Sequence, residues 1–187
     1  EAMQPAVIVI DMLVDFVTGA LANPRAAAIV PALDRLTRGA RERGWPVVYS
    51  NDAHLPGDPE ERVWGRHAMA GTPGAEVIPE LAPRPGDLVV PKRFYSAFHR
   101  TGLDGLLHDR GVDTVVLAGQ HTHICVRHTA ADAFYRDLRI VVPPDAVVAF
   151  TEEDERLGLA YLVGVYGAEL TAVDALLAAA PVAAGRG

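Results

Sequence analysis

The chain has 187 residues, half of them hydrophobic, with a net charge of −7 and a single cysteine, which suits one compact α/β domain spanning residues 1–187. The acidic balance speaks against a nucleic-acid-binding surface, which needs a basic face, and no run reaches the ~18 apolar residues of a membrane span. One cysteine excludes an internal disulfide, and Glu1–Pro5 carries no basic n-region of a signal peptide, so a reducing, cytoplasmic setting is expected.

Ala6–Ile10 is an unbroken apolar run, the pattern of a strand buried on both faces, and it ends at Asp11. Asn23 and Pro24 read as the cap and first residue of a helix. Along it Ile29, Leu33, Leu36 and Ala40 face inward, Arg35, Arg38, Arg41 and Arg43 face outward, and Gly44 is the stop. Pro46–Asn51 is a second strand, followed by a long loop over Leu55–Thr72. A loop of that length in a compact domain is functional or disordered, and this one carries Trp64 and His67. Asp87–Pro91 is a third strand that runs into Lys92. Leu103–His108 is a short helix, Thr114–Ala118 a fourth strand, Cys125–Asp137 a helix and Leu138–Val142 a fifth strand. Thr151 to Asp154 resembles a capping box opening a helix to about Tyr166. Leu170–Ala172 reads as a last short strand, the Ala-rich stretch to Ala180 as a last helix, and Ala183–Gly187 as a frayed end. Strands alternating with helices at this spacing imply a three-layer, doubly wound, mainly parallel sheet.

Ligands of such sheets bind beyond the carboxyl ends of the strands. Asp11, Asp52, Lys92 and Gly119 each sit at a strand end and so converge on one rim. Cys125 follows the Gly119 turn and opens a helix, where the N-terminal dipole favours a thiolate. Free cysteine is also among the most buried residue types, so alone it reads equally well as a core residue. Together with a rim Asp and Lys it fits nucleophilic chemistry. The carboxylate takes the thiol proton and returns it to a leaving group, while the ammonium holds the carboxylate and favours the thiolate. Asp52 and His54, two residues apart, with His67 further on, offer N and O donors suited to zinc, manganese or iron. Loop histidines that bind nothing have the same spacing, and spacing alone leaves both readings open.

Three separated pieces carry a family resemblance: Val7-Ile-Val-Ile-Asp11-Met-Leu-Val-Asp-Phe16, Val90-Pro-Lys92, and Gly119-Gln-His-Thr-His-Ile-Cys125-Val with Thr129-Ala-Ala-Asp132-Ala. In order and spacing the chain resembles the isochorismatase-like cysteine hydrolases, the superfamily of nicotinamidases and N-carbamoylsarcosine amidohydrolases, from Val7 to about Leu176. The resemblance implies a catalytic triad of Asp11, Lys92 and Cys125. It also implies a non-proline cis peptide between Gln120 and His121, and an oxyanion hole made by the backbone N–H groups of His121 and Cys125. It implies a divalent metal, zinc in the first place with manganese and iron as alternatives, on Asp52, His54 and His67, holding the ring nitrogen of nicotinamide. Phe16 and Trp64 would sandwich the ring, with Tyr95 and Phe98 as the remaining wall. True isochorismatases lack the nucleophilic cysteine, so Cys125 favours amide hydrolysis. The expected activity is hydrolysis of nicotinamide to nicotinate and ammonia through a thioester, by a homo-oligomer acting on small molecules. Met12-Leu13-Val14 and His123 depart from common nicotinamidases. They keep open the alternative of an N-carbamoyl compound, ureide, maleamate or lactam antibiotic.

Overall fold

The computed structural model describes residues 3–180 and Val182; Ala183–Gly187, expected to fray, lie outside the described residues. Seven strands form one parallel sheet: β1 (Pro5–Ile10), β2 (Val47–Asp52), β3 (Leu88–Lys92), β4 (Thr114–Gln120), β5 (Arg139–Val142), β6 (Val147–Val148) and β7 (Glu169–Leu170). The order is β3-β2-β1-β4-β5-β7, with β6 paired to the end of β4. The chain winds outward from β1 in one direction and from β4 in the other, so the switch point lies between these two strands.

The pleat sorts the core into two layers. Ile8, Ile10, Val48, Val115 and Leu117 point to one face, under α4 (Leu103–His108), α5 (Arg127–Tyr135) and α6 (Glu152–Tyr166). Val7, Val9, Val47, Tyr49, Val116 and Ala118 point to the other, under α2 (Val30–Glu42) and α7 (Val173–Ala179). Period-two alternation between two apolar faces explains why β1 and β4 read as continuous hydrophobic runs. The expected three-layer α/β architecture is the one observed.

Several boundaries differ, each for a local reason. No helix starts at Asn23. Its Oδ1 accepts from Arg25 N at 3.1 Å in a tight turn, and its Nδ2 donates to Gln120 Oε1 and Ala149 O. The chain then makes a 3-10 turn over Ala26–Ile29 before α2, which has Pro31 in its first turn. Arg41 and Arg43 do not point outward. Arg41 forks onto Asp87 and reaches the Tyr49 hydroxyl, and Arg43 folds back onto the carbonyls of Gly39 and Leu177. Shortly after Asp11 the chain forms α1 (Val14–Val17), and the long loop contains α3 (Glu61–Trp64). The last short strand is Glu169–Leu170 rather than Leu170–Ala172. The α6 cap is as expected: Thr151 Oγ1 accepts from Asp154 N at 3.0 Å, and Gly167 ends the helix at φ +64°.

Candidate active site

At the carboxyl edge, Ile10 of β1 pairs with Gly119 of β4. Gly119 has φ +104°, and a Cβ there would lie 2.1 Å from Ile10 O. Glycine is therefore what lets the two strand ends close up. Asp11 follows with φ +51°, a left-handed conformation that aspartate tolerates better than most residues. This turns its carboxylate across the rim, where Oδ1 accepts from Asp52 N at 2.8 Å. Lys92, the last residue of β3, pairs in register with Asp52. Its ammonium lies 2.9 Å from Asp11 Oδ2, donates to Asp52 Oδ1 and sits 3.5 Å from Cys125 Sγ. Asp11, Asp52, Lys92 and Cys125 are all buried.

Burial pushes the Asp11 carboxyl up, and the charge of Asp52 adds to this, against the pull of Lys92; the result is about 6. For Asp52 burial acts in the same sense, but Lys92 and His54 outweigh it and hold the carboxyl below its ordinary value. Lys92 is raised well above the usual lysine value because its two carboxylate neighbours overcome desolvation. Burial also raises the Cys125 thiol well above its normal range, with Lys92 opposing. This corrects the expectation of a thiolate favoured by a helix N-terminus. Cys125 does not open the helix; it lies inside a π-helical turn, Thr122–Val126, that leads into α5. Burial favours the protonated thiol, and a carboxylate able to take its proton lies within 4.8 Å.

The peptide bond between Gln120 and His121 is cis, as the resemblance implies. The buried Gln120 side chain donates to Asp11 O and Phe16 O at 3.3 and 3.2 Å. On the other side, Glu155 of α6 accepts from Thr122 Oγ1 and Ala149 N, both at 2.7 Å. The turn carrying His121 and Cys125 is thus tied to β1 and to α6.

Beside these groups, Asp52, His54, Glu60 and His67 are buried with one donor atom each within 4.8 Å of one another. Asp58 Oδ2 lies 3.2 Å from His54 Nδ1 and Gly65 O lies 2.7 Å from His67 Nδ1, which directs both Nε2 atoms inward. Asp58 is itself held by the guanidinium of Arg93, whose hydrogen bonds keep its carboxyl below the ordinary range. Asp52 Oδ2, His54 Nε2 and Glu60 Oε1 are buried without a hydrogen-bond partner among the described residues. Burial lowers the His54 pKa, but Asp52 and Glu60 outweigh it and raise it to about 10. An imidazole Nε2 with two carboxylate oxygens 3.3 and 3.4 Å away is an arrangement chemically suited to a divalent cation. The donor set therefore fits a metal of the zinc, manganese or iron type. Asp52 belongs to both groups, since it faces Lys92 with one oxygen and His54 with the other.

A small cavity of about 20 Å³ joins the two groups, touching Cys125 on one side and Asp52, Glu60 and His67 on the other. Phe16, Trp64 and Tyr95 line it, and Trp64 Nε1 donates to the Tyr95 hydroxyl at 3.1 Å. Phe98 does not line it; it is buried in the core among Ala97 and Leu103. His99 and His108 are exposed, as expected. His123 packs edge-on to Phe150, and His128 stacks on Tyr95 in a neighbouring groove. Three contributors were missed: Glu60, Phe150 and Asp58. Glu60 is recognisable only as an acid inside the loop between His54 and His67, and Phe150 only by following the unpredicted strand β6.

The structure is similar to that of N-carbamoylsarcosine amidase from Thermoplasma acidophilum, with a TM-score of 0.87 and 48% identity over 92% of this chain and 98% of that one. It is also similar to nicotinamidase PncA from Bacillus subtilis, with a TM-score of 0.86 and 33% identity over 90% and 99% of the two chains. Pyrazinamidase of Pyrococcus horikoshii, solved in complex with zinc, gives a TM-score of 0.84 and 31% identity over 90% and 99%. All three are amidases, enzymes of C–N bond hydrolysis. With the isochorismatase domain model matching residues 5–175, the chain belongs to the isochorismatase-like family of hydrolases.

Proposed function

We propose that this protein is a cysteine amidohydrolase that converts nicotinamide to nicotinate and ammonia, with Asp11, Lys92 and Cys125 as its catalytic residues. The observation that carries this reading is the buried Lys92 ammonium, 2.9 Å from Asp11 Oδ2 and 3.5 Å from Cys125 Sγ at the floor of a cavity. Cys125 Sγ attacks the carboxamide carbon as its proton passes to Asp11. Because the thiol is raised and Asp11 sits near 6, transfer accompanies attack rather than preceding it. The oxyanion is received by the backbone N–H groups of His121 and Cys125. Asp11 gives the proton to the departing ammonia and leaves a thioester on Cys125. Asp11 then deprotonates a water that adds to the thioester, and collapse frees nicotinate and returns the proton to sulfur. Lys92 holds Asp11 in place throughout.

Asp52, His54, His67 and Glu60 would hold a divalent ion, zinc by preference, which supplies a Lewis-acid point for a substrate lone pair when bound. Phe16, Trp64 and Tyr95 offer aromatic faces to a flat ring. A second reading, an N-carbamoyl substrate, is favoured by the 48% identity to the Thermoplasma amidase. The single cysteine accords with a reducing, cytoplasmic setting, and among the described residues no helix is long and apolar enough to cross a membrane. Exposed Phe134 and Tyr135 on α5 support a homo-oligomer. Ammonia release from nicotinamide by protein loaded in turn with zinc, manganese or iron tests the main reading. It is expected to exceed a Cys125→Ala control, whereas equal rates with every metal would sink it.

A further inference from the structure

The proposed mechanism engages only the backbone N–H of His121, yet the side chain occupies a distinctive place. The ring lies against Phe150, with centroids 4.3 Å apart and planes at 37°, and meets Phe16 edge-on at 5.6 Å and 88°. Two aromatic walls therefore set its orientation, and two amides set its backbone, since Ile124 N and Val126 N both donate to His121 O at 3.0 and 3.2 Å. The residue is 4% exposed and lines the cavity that reaches Cys125. Its Nε2 is buried with no hydrogen-bond partner among the described residues. A buried polar atom in a ligand cavity is a hydrogen-bonding group left for the ligand.

We propose that the His121 side chain is a specificity-determining group, which gives one hydrogen bond to an uncharged polar atom of the substrate and so favours neutral, flat amides over amides bearing a carboxylate. The inference rests on the amidohydrolase reading of this cavity.

Burial above all, with His123 and Lys92 in the same sense and Asp52 against, pushes the imidazole down to about 3, so the ring carries no charge at neutral pH. A neutral imidazole offers one donor and one acceptor and no counter-charge. The lining groups around it act in the same sense: Phe16, Trp64, Ile124 and Phe150 are apolar or aromatic. No lysine or arginine is among the described residues that line the cavity, and Lys92 beneath it is committed to Asp11 and Asp52. A substrate carboxylate facing His121 would be buried opposite a group unable to balance it, whereas an amide or ring heteroatom would gain a partner.

The test compares kcat and KM for nicotinamide and for maleamate in the wild type, His121→Phe and His121→Asn. His121→Phe keeps an aromatic ring and removes both nitrogens. It should lower the nicotinamide-to-maleamate ratio of kcat/KM by about tenfold, the scale of one hydrogen bond, with more of the loss in KM than in kcat. His121→Asn, which restores a neutral hydrogen-bonding group, should recover part of it. An unchanged ratio in His121→Phe, with Cys125 alkylated by iodoacetamide at the wild-type rate, would overturn the proposal, as would a wild type that prefers maleamate. A second arm needs no change at His121. In the Cys125→Ala protein labelled with 15N-histidine, nicotinamide should shift the His121 imidazole nitrogen resonances, and saturation without a shift would also overturn it. If the wild type hydrolyses neither amide, the nicotinamidase reading fails, and the spectral arm still decides the role of His121.

Discussion

Asp11 stands between a cation and an anion, and its chemistry follows from which of them is nearer in effect. Burial and Asp52 raise its carboxyl to about 6 despite Lys92, so it is ionised at neutral pH yet basic enough to accept a proton. In the proposed mechanism the ionised form is the active one. The pH profile of kcat/KM should therefore lose about tenfold per unit below pH about 6; a limb near the ordinary carboxylate value of about 4 would contradict this. Asp11→Asn should lower kcat by roughly 10²–10⁴, the usual worth of a positioned acid–base group. Glu60→Gln should weaken zinc binding by at least about tenfold, read by competition with a chromophoric chelator. Wild-type affinity in that variant would remove Glu60 from the donor set. Asp11 and Lys92 were legible as rim residues because strand ends announce themselves as apolar runs that stop at a polar residue, and Cys125 because it is the single cysteine and follows the Gly119 turn. Glu60 was not, because an acid in a charged loop has no periodicity, and only folding brings it against His54 and His67.

The elements around the site depend on one close approach. β1 and β4 meet at Ile10 and Gly119, where a methyl group would fall 2.1 Å from a carbonyl oxygen at a φ closed to most side chains. Gly119→Ala should cost at least about 3 kcal/mol, from backbone strain and overpacking together, measured by urea denaturation; a wild-type midpoint would contradict this. The core strands could be read from the sequence because burial on both faces leaves no polar interruption. The turn after β4 could not: Thr122–Val126 has an unexceptional composition, and the bonds of Gln120 to Phe16 O and of Thr122 to Glu155 that flank this π-helical turn join residues far apart in the chain. Asn23 misled for a related reason, since a residue that caps helices locally is here committed to a tertiary bond with Gln120.

At the scale of the molecule, the strand order brings the ends of β1, β2, β3 and the turn after β4 together at one edge, and Asp52 there couples a thiol-centred group to a metal-type donor cluster. A divalent ion binding this cluster should also stabilise the fold. At a free zinc concentration of 100 times Kd the gain is about 2.7 kcal/mol, which for a chain of this size is a rise in Tm of roughly 5–10 °C. Scanning calorimetry after chelation and re-addition would show it, and an unchanged Tm would speak against the site. The central claim is that Cys125 carries the acyl group during turnover, and intact-protein mass spectrometry of acid-quenched reactions with nicotinamide tests it most directly. The predicted result is a transient adduct of one nicotinoyl group, mapped to the peptide containing Cys125 and lost in Cys125→Ala along with ammonia release. Undiminished ammonia release by Cys125→Ala, with no adduct on the wild type, would contradict it.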